Sequence, residues 1–317
     1  MSGKNPASTR RELLCSAVGA AAAASVAAPA AGERATRRRT ARLAHLTDIH
    51  VQPEGAAAEG MAACLRHVHA QQDRPELILN GGDMIMDALG ASWERTREQW
   101  RVWKRVLDEH CTLPVVHCLG NHDVWGWHRD RSGATGTEPH YGKQAALEQL
   151  GLAERYRRLD HGGWRIIVLD STHPVEGGVY TARLDDPQRE WLAGELAATP
   201  RSTPVLILSH IPILCGCAFL DGENEKSGNW VVPGAWMHTD ARVLKDLFVK
   251  HPQVKLCLSG HIHLRDRLDY NGVTYLCNGA VSGGWWKGSY QETPPGYALI
   301  DLFDDGSFEF DYVTYCG

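Results

Sequence analysis

The sequence predicts an α/β fold, and two observations carry that prediction. From residue 41 to about residue 263, apolar runs of strand length alternate with amphipathic stretches of helical period, and after that only strand-like runs remain. The alternation argues for sheet strands joined by helices, and the strand-only C-terminus argues against a simple doubly wound sheet. A third observation concerns chemistry: five of the apolar runs stop at Asp, Asn or His. The densest case is Gly120-Asn121-His122-Asp123, which follows the apolar run ending in Cys118-Leu119. A buried strand that halts at a glycine and then presents Asn, His and Asp has the form of an active-site loop. Asn121 and His122 can meet a metal or a phosphate, and Asp123 can orient the imidazole.

The elements follow in chain order. Residues 41–47 read as a strand that ends in Asp48-Ile49-His50. In an extended segment Asp48 and His50 would project to the same side and could share one ion. Residues 56–72 read as a helix with Met61, Leu65 and Val68 on one face. Leu77–Asn80 is the next strand, ending in Gly81-Gly82-Asp83, and residues 92–110 form a helix with Trp100, Trp103, Val106 and Leu107 inward. After the Gly120 loop come a short helix (141–150), a strand (165–169) ending in Asp170, and a helix from Pro187 to Leu196, with proline in its first turn. The strand 204–208 ends in Ser209-His210, and a Gly-, Cys- and Trp-rich loop covers roughly 212–238. A helix capped by Thr239 or Asp240 precedes the strand 254–258, which ends in Ser259-Gly260-His261-Ile262-His263. Two hairpins close the chain, turning at Asn271-Gly272 and Asp305-Gly306.

The 317 residues, 43% hydrophobic and 22% charged, can build a sizeable core. A net charge of -5, with no basic tract past the N-terminal region, argues against nucleic acid or a membrane surface as the partner. Residues 1–31 read as a signal peptide: Ser8-Thr9-Arg10-Arg11-Glu12-Leu13 resembles a twin-arginine export signal, an alanine-rich run follows, and Ala28-Pro29-Ala30 offers a cleavage site. The run is too short and alanine-rich for a stable membrane anchor. Residues 32–40 read as a basic linker and 41–317 as one domain. The expected partner is then the twin-arginine export machinery, and the expected location is the periplasm or the exterior. The nine cysteines contain no C-x-x-C pair, and Cys215 and Cys217 are too close in sequence to pair easily with each other.

Strand ends on one edge of an α/β sheet converge on a crevice. Convergence there of Asp48, His50, Asp83, Asn121, His210, His261 and His263 gives a mixed N/O donor set too large for one four-coordinate ion. In this order the segments D-x-H, G-D, G-N-H-D, S-H and G-H-x-H resemble the calcineurin-like metallophosphoesterases, over residues 41 to about 280. The resemblance implies a four-layer sandwich of two mixed β-sheets flanked by helices. It implies two metal ions (Fe, Mn or Zn), one held by Asp48, His50 and His263 and the other by Asn121, His210 and His261, with Asp83 bridging. It further implies that His122 faces the substrate phosphate with Asp123 supporting it. Two such cations clamp a phosphate and supply a hydroxide between them for in-line attack, and His122 can donate to the leaving oxygen.

Purple acid phosphatases carry D-x-G in the first segment and a tyrosine three residues after the G-D aspartate; here His50 and Met86 stand at those places. The pattern is closer to the bacterial class III cyclic-nucleotide and glycerophosphodiester phosphodiesterases. The expected activity is hydrolysis of small phosphodiesters. The alternatives are a broad phosphomonoesterase and a phosphate-ligand binding protein that has lost turnover. Among the remaining polar residues, His45, His117, Asp87 and Asp170 read as structural and His67 and His69 as surface residues. Trp125, Trp127, Trp230, Trp236, Trp285 and Trp286 fall in loops at the site edge. They could wall a pocket or simply pack the loops, and Trp285, Trp286 and Trp125 are the candidates for substrate contact.

Overall fold

The computed structural model describes residues 37–176 and 179–315. The export segment, and the basic stretch up to residue 36, lie outside the described residues. Two large sheets carry the fold. The first is built from β1 (Arg39–Leu46), β2 (Leu77–Asn80), β3 (Val115–His117), β12 (Gly296–Phe303) and β13 (Phe308–Thr314), in the order β13-β12-β1-β2-β3. The second is built from β4 (Arg157–His161), β5 (Trp164–Val168), β8 (Val205–Leu208), β9 (Val254–Ser259), β10 (Asp266–Tyr270) and β11 (Val273–Cys277), in the order β10-β11-β9-β8-β5-β4. In the second sheet parallel pairings fill the interior and antiparallel pairings lie at both margins; in the first, β1, β2 and β3 pair in parallel and β12 pairs antiparallel with β1 and β13, so both sheets are mixed. A small ribbon pairs β6 (Thr172–Pro174) with β7 (Tyr180–Ala182).

The core explains why the interior strands are apolar on both faces. Leu43, Leu79 and Ile300 of the first sheet meet Ile166, Leu208 and Leu258 of the second in one cluster between the sheets. The alternate residues Ala44, Leu46 and Ile78 turn outward onto α1 (Ala57–His69) and α2 (Trp93–His110). Ile167, Ile207 and Val254 turn the other way, onto α5 (Asp186–Ala198) and α6 (Ala241–Lys250). The result is helix, sheet, sheet, helix, the layering the resemblance implied. Two short helices, α3 (Arg129–Ser132) and α4 (Gln144–Leu150), lie in the connection after β3. No helix among the described residues is long and apolar enough to cross a membrane.

Local chemistry accounts for the boundaries. Ser92 caps α2 by accepting from the Arg95 amide, and Asp185 caps α5 by accepting from Gln188. Asn271 and Gly272 both take positive φ, as a two-residue hairpin requires. Asp240 occupies the cap position of α6 but does not cap it; its carboxylate accepts from the Leu184 amide and from His238 instead. The arginines at 37–39 are not linker: β1 begins at Arg39, and the three guanidinium groups pair with Glu309, Asp304 and Asp73. Strand β4 was not expected, because its half-exposed Arg-Arg-Leu-Asp-His run has little strand character. It pairs with β5 through a turn at Gly162-Gly163, both at positive φ.

His45 is fully buried, accepts from the Asn278 amide at 2.6 Å, and is pushed down to about 4 by burial. His67 and His69 are not free surface residues: His67 meets the Tyr297 hydroxyl at 3.1 Å, and His69 accepts from the Thr112 amide. Asp87 and Asp170 are structural, binding the Gly90 amide and the Lys143 and Arg155 cations respectively. Leu43→Ala, at a fully buried position between the sheets, is expected to cost about 2–5 kcal/mol in urea unfolding; an unchanged midpoint would place the core elsewhere.

Candidate metal centre

Each donor sits just past the end of a strand. Beyond β1 and β2 the two chains continue side by side, the Asp48, His50 and Val51 amides donating to the Gly82, Asp83 and Met84 carbonyls. Asp48 and His50 are not extended, however. Both lie at positive φ (55° and 49°), as do Asp83 (52°), His261 (73°) and His263 (61°). They converge through these left-handed turns rather than through strand alternation, which corrects the sequence expectation. Left-handed backbone is uncommon outside glycine and concentrates where function over-determines it. Close approach also fixes two glycines. A Cβ at Gly120 would stand 2.1 Å from Asp83 Oδ1, and one at Gly260 would stand 2.2 Å from Asp48 Oδ2.

Both carboxylates are buried, and each is half committed to the backbone. Asp48 Oδ2 accepts from the His261 amide (2.9 Å) and the Thr47 hydroxyl (2.7 Å), leaving buried Oδ1 without a partner. Asp48 Oδ1 faces the Nε2 atoms of His263 (3.5 Å), His50 (3.9 Å) and His210 (4.0 Å). Asp83 Oδ1 accepts from the His122 amide at 2.7 Å, while Oδ2 lies between His210 Nε2 (3.2 Å) and His50 Nε2 (3.7 Å). His210 and His263 donate Nδ1–H to the Gly81 and Gly283 carbonyls (2.8 and 2.6 Å), which turns both Nε2 lone pairs inward. Asn121 Oδ1 stands 3.2 Å from His210 Nε2. The orphaned Asp48 oxygen and the inward-facing Nε2 atoms fit a cation. Three triads bring their donor atoms within 4.8 Å of one another: Asp48 with His50 and His263, Asp83 with His210 and His261, and His50 with Asp83 and His122.

The electrostatics agree. Burial would raise Asp48, but hydrogen bonding and charge from His263, with the charge of His210, hold it below the carboxylate range. Burial would lower His210, yet Asp83 and then Asp48 lift it to about 9. Burial drives His261 down to about 3 and His50 well below its ordinary value.

Asp123 does not support His122. Its Oδ2 accepts from the Asp83 and Gly120 amides and its Oδ1 from the Met84 amide, all at 2.9 Å. The carboxylate therefore shapes the turn that carries Asp83; burial, with Asp83 adding to it, pushes the group up to about 7. The orienting partner of His122 is the Met86 carbonyl, 2.6 Å from Nδ1.

A cavity of about 200 Å³ opens onto the donors and is walled by Trp285, Tyr290, Trp236, Tyr180 and Asp221. Trp285 lies 4.5 Å, centroid to centroid, from the His263 ring. Trp286 and Trp125 do not reach the cavity. The Trp286 indole packs over Gly60 and donates to the His50 carbonyl, and Trp125 is buried against Trp93 and His140. Tyr180, Asp221 and Tyr290 carried no motif that could have marked them. A larger cavity, about 670 Å³, lies beside Trp127 and Tyr141 and contains none of the donors.

Residues 41–265 match the calcineurin-like phosphoesterase family. The chain belongs to that family. It is therefore a metal-dependent phosphoric ester hydrolase, and its donor cluster offers candidate ligands for the divalent metal centre that the family uses. Over 277 residues the chain is 26% identical to the 3',5'-cyclic adenosine monophosphate phosphodiesterase CpdA of Escherichia coli (strain K12), covering 84% of this chain and 86% of that one. Over another 277-residue alignment it is 29% identical to the probable cyclic nucleotide phosphodiesterase syc0937_d of Synechococcus sp., covering 85% and 90%. In fold it resembles a dimetal phosphatase from Danio rerio, with a TM-score of 0.58 at 14% identity over 88% of this chain and all of that one.

Because Asp123 fixes the loop and not the His122 imidazole, Asp123→Ala is expected to weaken metal retention by roughly 10–100-fold. Metal analysis after equilibrium dialysis checks this. Full occupancy with lost turnover would restore Asp123 to the side of His122.

Proposed function

We propose that the chain is an exported phosphodiesterase that hydrolyses small phosphodiesters, cyclic nucleotides foremost, at a two-metal centre. The observation that carries the substrate charge is the make-up of the cavity: imidazoles, aromatic rings and the carboxylates of Asp83 and Asp221 line it, with neither Lys nor Arg among the lining residues. A phosphomonoester is largely dianionic near neutral pH, whereas a diester carries one charge. A wall with an extra carboxylate and no fixed cation favours the latter. The names of the relatives supply the cyclic nucleotide, and Trp285 and Tyr290, centroids 5.4 Å apart, offer the flat surfaces on which a base could stack.

In this reading Asp48, His50 and His263 would hold one ion, Asn121, His210 and His261 would hold the other, and Asp83 would serve both. When bound, such a pair polarises the phosphoryl oxygens and lowers the pKa of water towards neutrality. Backbone amides hold the outer oxygens of Asp48 and Asp83, so neither carboxylate need rotate during turnover. His122, tethered to Met86 and set edge-on to His50 at 4.7 Å, lines the cavity and meets the phosphate or the leaving oxygen. Export rests on the arginine pair and alanine-rich run of the sequence alone, and would place the enzyme in the periplasm or outside the cell.

The test is hydrolysis of bis(p-nitrophenyl) phosphate against p-nitrophenyl phosphate, with manganese added and a chelator as control. Faster, chelator-sensitive diester cleavage is expected; preference for the monoester would make the chain a phosphomonoesterase. His122→Ala is expected to keep its metal and lose about 10²–10⁴-fold in kcat, and a metal-free variant would sink the role given to His122.

A further inference from the structure

Away from the donor cluster, three thiols meet. Cys215 and Cys217 come from the loop after β8 and Cys277 from the end of β11; their sulfurs lie within 4.8 Å of one another, and none of the three is in a disulfide. All are buried, in a small cluster with Ala218, Ile262 and Leu264 that Trp236 and Tyr290 cover. We propose that Cys215, Cys217 and Cys277 form a second, structural site for one thiophilic d10 cation of the zinc(II) or cadmium(II) kind. This proposal goes beyond the phosphoesterase reading and does not depend on it.

The number of sulfurs points to an ion rather than a disulfide. A disulfide would use two and leave a third thiol buried beside it, and Cys215-Gly216-Cys217 offers two sulfurs on one short turn. The metric fits as well: metal–sulfur bonds of about 2.3 Å place trigonal sulfurs about 4.0 Å apart, inside the observed spread. The turn is pre-set, since Asp266 Oδ2 accepts from both the Gly216 amide and the Cys217 amide, the latter at 3.1 Å. That carboxylate oxygen is thereby committed, and among the described residues no His, Asp or Glu joins the thiols within the same distance. Soft thiolates without hard donors select soft ions, unlike the N/O cluster nearby.

The charges also favour a divalent ion. Binding sends the three thiol protons to solvent and leaves one net negative charge, where a monovalent ion would leave two in the same apolar setting. Without an ion, hydrogen bonds from Cys217 and Cys277 hold the Cys215 thiol below its ordinary range and raise those two donors in turn. The Gly260 carbonyl, 3.2 Å from Cys277 Sγ, is an alternative acceptor for that thiol's single proton, and ligation would release either bond. The site would rivet the 212–238 loop, which carries Asp221 and Trp236 to the cavity, onto the end of β11, beside the segment holding His261 and His263, whose Ile262 lies in the thiol cluster.

The test is anaerobic titration of the reduced full chain with cadmium(II), read as thiolate-to-metal charge-transfer absorption, which carboxylate and imidazole ligation does not produce. The expected result is a band saturating at one ion per chain, abolished in Cys217→Ser and in Cys277→Ser and retained in Cys111→Ser. Should the serine variants fail to fold, the cadmium-113 resonance of the wild type decides: a thiolate-shifted signal supports the site, and signals of nitrogen and oxygen ligation alone overturn it. Absence of the band in folded wild type, its survival in both serine variants, or a disulfide between two of the three cysteines in the isolated protein would each overturn the proposal.

Discussion

Two buried carboxylates that face the same two imidazoles, His50 and His210, set the terms for the rest of this molecule. Asp48 and Asp83 are 0% and 1% exposed. Buried anions must be compensated by hydrogen bonds and by positive charge, or they unfold the structure around them. The chain does the first with the amides of His261 and His122 and meets the second with inward-facing imidazole nitrogens arranged for cations. Hydrogen bonds from backbone amides to these two carboxylates and to Asp123 tie four loops in pairs: the segment after β1 to the turn after β9 through Asp48, and the turn after β2 to the loop after β3 through Asp83 and, in return, Asp123.

The layered fold is what brings those loops together. The first sheet delivers Asp48, His50, Asp83 and Asn121 from the ends of β1, β2 and β3, and the second delivers His210, His261 and His263 from the ends of β8 and β9. The donor cluster therefore bridges the seam between the sheets, and the apolar packing of Leu43 and Leu79 against Leu208 and Leu258 holds its two halves in register. Any loss of that packing reaches the donors directly, because only one or two residues separate several of them from the strand ends.

Much of this was legible in the sequence. Interior strands are apolar on both faces, so they read as plain runs, and the polar residue that ends each run marks the site. What was not legible depends on three-dimensional neighbours. Trp286 adjoins Trp285 and Trp125 follows the His122 loop, and nothing in composition distinguishes an indole that covers Gly60 from one that faces a cavity. Asp123 adjoins His122 in sequence, which suggested a pair, but a tight turn points its carboxylate at backbone amides instead. Tyr180, Asp221 and Tyr290 reach the cavity from a short ribbon and two irregular loops, where there is no periodicity to read.

The left-handed backbone at Asp48, His50, Asp83, His261 and His263 bears on how this protein can change. Asp and His are among the side chains that tolerate that conformation best after glycine, so the residues suited to the geometry are also the ones suited to the ion. Each still stores on the order of 1–3 kcal/mol of strain. Glycine at any of these positions would relax the backbone while deleting a donor, so robustness and turnover pull in opposite directions along this loop set. Lineages released from the need to hydrolyse anything would be expected to drift towards sturdier, inert descendants of the same fold.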